Sequence, residues 1–354
     1  MECSLKSEFD FLGDNDMIKV HRAHPARKIL KVCVWIFFVL ALFSMTGWAS
    51  LAIYYSNLPE SFRLVAAASY CLGSFLVFLV IRPRRRAVMV FIGIFALVLI
   101  WWLTIQPSND RDWQPDVALL PYATFNGNTV TIHNIRNCDY RTETDYTVRH
   151  YDRTFDLAKL HSADLFLVYW GSPYIAHTMF SFGFGGGNFV CFSIETRKEK
   201  GEEYSAIKGF FRQYEITYVV ADERDLVRLR TNYRNEDVYL YRLKAKQETI
   251  QKVFLDYLRQ VNRLKETPEW YNALTDNCTT AGRGHTAPYN PKAKLDWRLI
   301  VNGFVDQFIY EQQSLDQSLP FSELKARSYV NERGRAADKD PDFSLRIREG
   351  LPGI

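Results

Sequence analysis

The sequence predicts an α+β protein in two parts, three transmembrane helices followed by one soluble domain of about 250 residues. Three observations carry this. Three apolar runs without internal charge follow one another closely before residue 106. Beyond them, short runs of alternating or β-branched character separated by turn signals lead to a single long amphipathic helix. Finally, His177 on an apolar strand and Cys278 at a helix start supply an imidazole and a thiol, the minimum parts of a cysteine nucleophile site.

The apolar runs are 32–54, 64–81 and 87–105, matching or approaching the roughly 17–25 residues a spanning helix needs. The first follows a 31-residue polar tail and lacks a small-residue cleavage site, so it is expected to be a span and not a cleaved signal peptide. Arg22, Arg27, Lys28 and Lys31 precede it, and Arg82, Arg84, Arg85 and Arg86 separate the second and third runs. The positive-inside rule then places the N-terminus in the cytoplasm and everything after Gln106 across the membrane. Trp101 and Trp102 fit an interfacial anchor at the outer end.

Eleven of the 44 Lys/Arg and six of the 40 Asp/Glu fall at or before Arg86, leaving 33 and 34 for the remainder. A soluble part this close to neutral argues against nucleic acid as a partner. Its cysteines are Cys138, Cys191 and Cys278, an odd number that leaves at least one thiol without a partner in the chain. A Cys138–Cys191 bridge stays open at this stage.

The expected organisation is a cytoplasmic tail over 1–31, three membrane helices over 32–105, a linker over 106–121, a thiol domain over 122–325 and a polar tail over 326–354. Within the domain, Asn126-Gly127-Asn128 signals a turn before a strand at 129–135, and 164–170 reads as a buried strand. The clearest hairpin pairs 175–184 with 189–197 about Gly185-Gly186-Gly187-Asn188. Side chains alternate along a strand, so a turn centred on Gly186 puts His177 opposite Glu195, whereas a one-residue slip puts it opposite Thr196. The first register is the one expected.

Strands are also expected at 216–221 and 238–243, with the charged stretch 222–225, together with Arg228 and Arg230, read as a solvated face. Over 247–266, Ile250, Val253, Phe254, Tyr257, Leu258, Val261 and Leu264 recur at three and four, one apolar stripe of a helix. Residues 326–342 read as solvated and poorly ordered.

Asn277-Cys278-Thr279-Thr280 suits a helix start, with Asn277 as cap and free N–H groups behind it. A helix N-terminus and a neighbouring imidazole both favour the thiolate, and the free N–H groups suit a tetrahedral oxyanion. A third polar group would hold the imidazole; Glu195 is the first choice and Ser193 the alternative. His133, His150, His161 and His285 have no partners at ligand spacing, so neither a metal nor another cofactor is expected. The glycine run lacks the Lys-Ser/Thr of a phosphate loop. The bland readings are a structural histidine on a strand and a buried cysteine used as apolar filler, with Asn-Cys-Thr a glycosylation sequon in a secretory chain.

A histidine on the first strand of a hairpin, a polar residue on the second and a much later Asn-Cys resemble the circularly permuted papain-like (NlpC-like) fold. More closely, the stretch from about 125 to 280 is similar to the Lnb-type periplasmic domain, a bacterial family of lipoprotein N-acyltransferases and their relatives. The segments that carry it are VTIHNIRN at 130–137, AHTMFSFGF at 176–184, SIETRKE at 193–199, VADERDL at 220–226, LRTNYR at 229–234 and WYNALTDNCTT at 270–280. The resemblance implies Cys278 as nucleophile and His177 as base, while Glu195 follows from strand parity. It further implies a periplasmic domain on the bacterial inner membrane, acting on phospholipid or lipoprotein acyl groups through a thioester. A thiol amidase or peptidase of cell-wall peptide and a non-catalytic membrane scaffold are the alternatives. The three spans before the domain depart from the membrane arrangement associated with the lipoprotein acyltransferases.

Overall fold

The computed structural model describes residues 25–290 and 294–354. Most of the expected N-terminal tail, including Arg22, lies outside the described residues. The three apolar runs are helices: α1 (Pro25–Tyr54), α2 (Glu60–Val80) and α3 (Arg84–Thr104). All three are long and apolar enough to cross a membrane, with mean hydropathies of 2.3, 1.9 and 2.5. Small residues such as Ala49, Ala52, Ala67 and Ala87 are buried between them, while Phe37, Leu79 and Val80 stay exposed. That is the pattern of helices that pack through small side chains and leave their large apolar ones to lipid.

The rest of the chain is a mixed α/β domain. Its strands are β1 (Tyr122–Asn126), β2 (Thr129–Arg136), β3 (Asp139–Tyr140), β4 (Tyr146–Thr147), β5 (His150–Asp156), β6 (Ser162–Tyr169), β7 (Ala176–Gly183), β8 (Phe189–Arg197), β9 (Glu215–Ala221) and β10 (Asp237–Arg242). β3 and β4 form a small ribbon of their own; the others make one sheet in the order β1-β2-β9-β8-β7-β6-β10, with β5 on β2. All its pairings are antiparallel except the short parallel contact of β2 with β9 at Arg136 and Ala221. Gly185, Gly186 and Gly187 turn β7 into β8 with φ of 79°, 59° and 78°, values that only glycine adopts without strain.

The helices are α4 (Glu223–Arg228), α5 (Gln247–Glu266), α6 (Cys278–Thr286), α7 (Val305–Glu311), α8 (Phe321–Arg327), α9 (Asn331–Ala336) and α10 (Phe343–Arg346). The seven apolar residues expected along α5 are all buried. They pack on one sheet face, where Phe182, Phe192, Ile194 and Tyr218 meet Phe254 and Tyr257. Met179, Cys191 and Val219 point the other way, as the period of two requires, and meet Val227, Val330, Phe343 and Ile347. Each such large apolar side chain contributes roughly 1.5–3 kcal/mol when fully buried.

Three expectations are corrected. The stretch 222–225 is no solvated face: Asp222 caps α4 by accepting from Arg224 N–H, and Glu223 and Asp225 are fully buried. Asp225 pairs with Arg136 at 2.8 Å, and Glu223 with Arg348 at 2.6 Å. The polar stretch 326–354 is folded, not a loose tail, because Val330, Phe343, Ile347 and Leu351 complete the second core. Its alternation of apolar and charged residues served buried ion pairs as well as solvent. The segment 106–121 is a packed strap, with Trp113 and Val117 in the same core.

Candidate active site

The hairpin has the expected register. Met179 pairs with Ser193 and Phe182 with Val190, a turn centred on Gly186 that sets His177 against Glu195. The β7–β8 ladder stops at Met179–Ser193, yet β7 goes on pairing with β6 to Ala176 and β8 with β9 to Arg197. The two strands therefore part where His177 and Glu195 lie. A ring nitrogen of His177, Nε2, is 2.7 Å from Ser193 Oγ and 3.9 Å from Glu195 Oε1. Ser193 Oγ donates to Glu195 Oε1 at 2.7 Å. So the structure brings both residues considered for the third position to His177, with the hydroxyl between imidazole and carboxylate.

Behind them, Arg230 donates to Glu195 Oε1 at 3.0 Å and to the Leu226 carbonyl at 2.9 Å. Burial alone would raise the Glu195 carboxyl, but Arg230, His177 and Arg136, with the Ser193 hydroxyl, hold it well below the usual carboxylate range. Arg230 belonged to the stretch read as a solvated face. It is buried, and strand parity gave no signal for it because it lies on a π-type turn, Leu229–Tyr233, outside the sheet.

Cys278 is the first residue of α6. Asn277 Oδ1 accepts from the N–H groups of Thr279 and Thr280 at 2.9 and 3.0 Å, and Asn277 N–H donates to Thr280 Oγ1 at 3.1 Å. This capping box fixes the helix start and uses the second and third N–H groups. The Cys278 N–H remains outside the cap, beside its own thiol. Gly282 lets the helix approach the sheet: a Cβ there would stand 3.0 Å from the Phe180 ring and 3.3 Å from Tyr257 Oη.

The Cys278 thiol is buried, which by itself raises its pKa, but His177 against it, with the N–H and hydroxyl of Thr178, brings it down to about 7. The other two thiols of the domain go the opposite way. Burial, with Asp225 beside it, pushes Cys138 up to about 12, and burial pushes Cys191 well up. Both are free and buried, so they form no disulfide.

Asn302, which sequence reasoning did not single out, ties the two halves of the site together. It accepts from Ala176 N–H at 2.9 Å, donates to the Ala176 carbonyl at 2.6 Å and donates to Thr279 Oγ1 at 2.8 Å. One side chain thus fixes the start of β7 to the start of α6. Gly303 follows it because a Cβ there would meet the Pro173 carbonyl oxygen at 2.1 Å. Asn-Gly is a turn dipeptide and is the one local signal that could have drawn attention to Asn302; its partner residues carry none.

Among the described residues, the other histidines lie apart from this pair. His285 is held by Asp256 at 2.7 Å and Tyr218 at 2.8 Å, a buried bridge between α5, α6 and β9. His133 pairs with Asp152 at 2.6 Å on β2 and β5. Among the described residues no cluster of three His, Cys, Asp or Glu side chains is arranged to hold a metal ion.

Exposed apolar side chains rim the site. Trp170 stands edge-on to the His177 ring at 6.5 Å, and Tyr174 and Trp297 both contact the Phe304 ring. Leu274, Trp297 and Ile300 line a cleft of about 620 Å³ beside Thr280. The segment leading into α6 is itself joined to the spans. Ala273 N–H donates to the Gly209 carbonyl, Phe211 stacks on Tyr55, and Arg212 donates to the carbonyl oxygens of Trp102, Leu103 and Ile105.

No curated protein and no solved structure matches the chain. Residues 146–303 match the family model described as the Lnb N-terminal periplasmic domain. His177, Ser193, Glu195, Arg230, Cys278 and Asn302 all lie inside that range. Less than half of the chain is thus similar to an Lnb-type periplasmic domain, and three helices able to cross a membrane precede that stretch.

Proposed function

We propose that the protein is a cysteine acyltransferase or hydrolase of lipid acyl groups, set on the outer face of a bacterial inner membrane. In this reading the N-terminus is cytoplasmic and the Lnb-type domain periplasmic, as the arginine-rich 82–86 turn suggests. The observation that carries the chemistry is the capped start of α6, which sets the Cys278 thiol against His177 with Ser193 and Glu195 behind it; the imidazole lowers this thiol while both other thiols of the domain are pushed up.

Cys278 Sγ attacks the carbonyl of a phospholipid ester, and His177 takes the thiol proton. The negative oxygen of the tetrahedral intermediate is met by the Cys278 N–H at the helix start. Collapse breaks the ester C–O bond, His177 returns the proton to the departing alkoxide, and a thioester remains on Cys278. An amine, such as a lipoprotein N-terminus, then attacks the thioester, losing its proton to His177, and the thiol is regenerated as the amide forms. Water in place of the amine makes the reaction a hydrolysis. The order of parts (histidine strand, polar return strand, cysteine helix) is that of permuted papain-like enzymes. The exposed apolar rim, and the docking of Phe211, Arg212 and Trp270 on the span ends, support a substrate that lies in the bilayer.

Intact mass of the detergent-purified protein after incubation with diacyl phospholipid tests this, with Cys278→Ala and His177→Ala beside the wild type. An acyl-sized, hydroxylamine-labile adduct is expected in the wild type alone. If no adduct forms but iodoacetamide still labels Cys278 rapidly in a His177-dependent way, the reading as a peptide-directed thiol amidase replaces it. Slow labelling that ignores His177 leaves the non-catalytic scaffold.

A further inference from the structure

A cavity of about 660 Å³ lies between the sheet and the helices α5, α6 and α7. Its floor is Ala163, Leu165, Phe180 and Phe182, which pair directly across β6 and β7 as Ala163–Phe182 and Leu165–Phe180 and so share one face. Val253 of α5 and Ile309 of α7 stand on its walls. No carboxylate lines it among the described residues; its charged lining side chains are all basic. At one end it reaches Thr178 and Thr279, the chain neighbours of His177 and Cys278. Their hydroxyls are 3.5 Å apart, and Thr279 Oγ1 is 3.9 Å from the Cys278 thiol. From Thr178 to Phe182 the floor runs about 13 Å along the strand, at ~3.3 Å per residue.

The cavity's apolar floor suits a hydrocarbon ligand, with the threonine pair next to the thiol at one end and Lys244, Lys246, Arg283 and Lys294 also on its lining. We propose that this cavity holds the hydrocarbon chain of the acyl group carried on Cys278, entering past Thr178 and Thr279 and lying along Phe180 and Phe182. The proposal rests on the thioester reading above and assigns it a long-chain acyl substrate. The polar pair at the entrance suits the thioester carbonyl, and the length of the apolar floor, about 13 Å, sets the limit of chain length that it can cover. Up to that limit, each added methylene favours binding by as much as about fourfold.

The test uses the full chain in nanodiscs with p-nitrophenyl butyrate, octanoate and dodecanoate, reading the nitrophenolate burst and the mass of acylated Cys278. Partition of the esters into the disc acts alike on every variant, so the dodecanoyl-to-butyryl rate ratio, relative to wild type, is the readout. Ile309→Trp narrows the wall and is expected to lower that ratio at least tenfold. Ile309→Ala widens it and is expected to raise the ratio at least threefold, and it stands in if the tryptophan variant does not fold. A ratio equal to wild type in the variants that fold overturns the cavity assignment while leaving the thioester in place. Failure of every ester to acylate wild-type Cys278 overturns the thioester reading and this inference with it.

Discussion

Ser193 Oγ lies 2.7 Å from Nε2 of His177. A hydroxyl has one proton, and an ionised carboxylate only accepts. Glu195, held ionised beside Arg230, takes the Ser193 proton at 2.7 Å. The serine oxygen can then only accept from His177, which places the imidazole proton on Nε2 and leaves the Nδ1 lone pair for the thiol. The carboxylate thus sets the tautomer through a hydroxyl that stands between them.

Replacing Ser193 by alanine removes the acceptor for Nε2–H. Burst acylation by a nitrophenyl ester is expected to slow by about 10²-fold. Because Ser193 and Glu195 act in series, Ser193→Ala/Glu195→Gln should be little slower than the slower single variant. Losses that simply multiply would show that the two act independently and would sink the relay.

Iodoacetamide labelling of Cys278 follows its thiolate, and His177 lowers the thiol to about 7. The labelling rate is expected to rise with pH and to be half-maximal near that value. In His177→Ala the burial stays and the attraction goes, so the midpoint should move above the ordinary thiol value of about 8.5. At pH 7 that is a drop of tenfold or more. A midpoint that does not move would mean that the helix start and Thr178 lower the thiol without the imidazole.

Arg348 lies between Glu223 and Asp164, at 2.6 and 2.8 Å, with all three buried. Arg348→Met takes the guanidinium from buried Glu223 and leaves Asp164 with Arg242 alone, at a cost of about 3–5 kcal/mol. A large fall in the urea midpoint is expected, partly recovered by adding Glu223→Gln. An unchanged midpoint would show that 326–354 does not stabilise the domain.

That pairing also shows where the sequence stops being legible. The site hairpin was readable because its facts are local: side chains alternate, a glycine turn fixes the centre, and His177, Ser193 and Glu195 fall on one face. The α6 start was readable for the same reason, since Asn277 caps the N–H groups two and three residues on. Arg348 and Glu223 are 125 positions apart. A run of acids and arginines reads as solvated whenever its counter-charges come from so far away. Asn302 and Arg230 were missed on the same ground, because each acts on elements remote in the chain and neither belongs to a periodic pattern.

The last expectation concerns how the domain meets the membrane. The final carbonyl groups of a helix have no intrahelical partners. Arg212 supplies them for α3, donating to Trp102, Leu103 and Ile105 at 3.2, 3.0 and 3.2 Å with its guanidinium 4.3 Å over the Trp102 ring. Phe211 next to it stacks on Tyr55 at 5.6 Å, and Trp270 Nε1 donates to Ile105 at 3.2 Å. These contacts join the end of the spans to the segment that leads into Cys278. Arg212→Ala should therefore speed hydrogen exchange at the end of α3 while the domain stays folded. It should also slow acylation by bilayer phospholipid more than acylation by a soluble ester, because only the lipid substrate depends on where the bilayer stands relative to the thiol. If the two reactions fall together, or neither changes, the docking does not set the thiol's position toward lipid, and the spans act only as a tether.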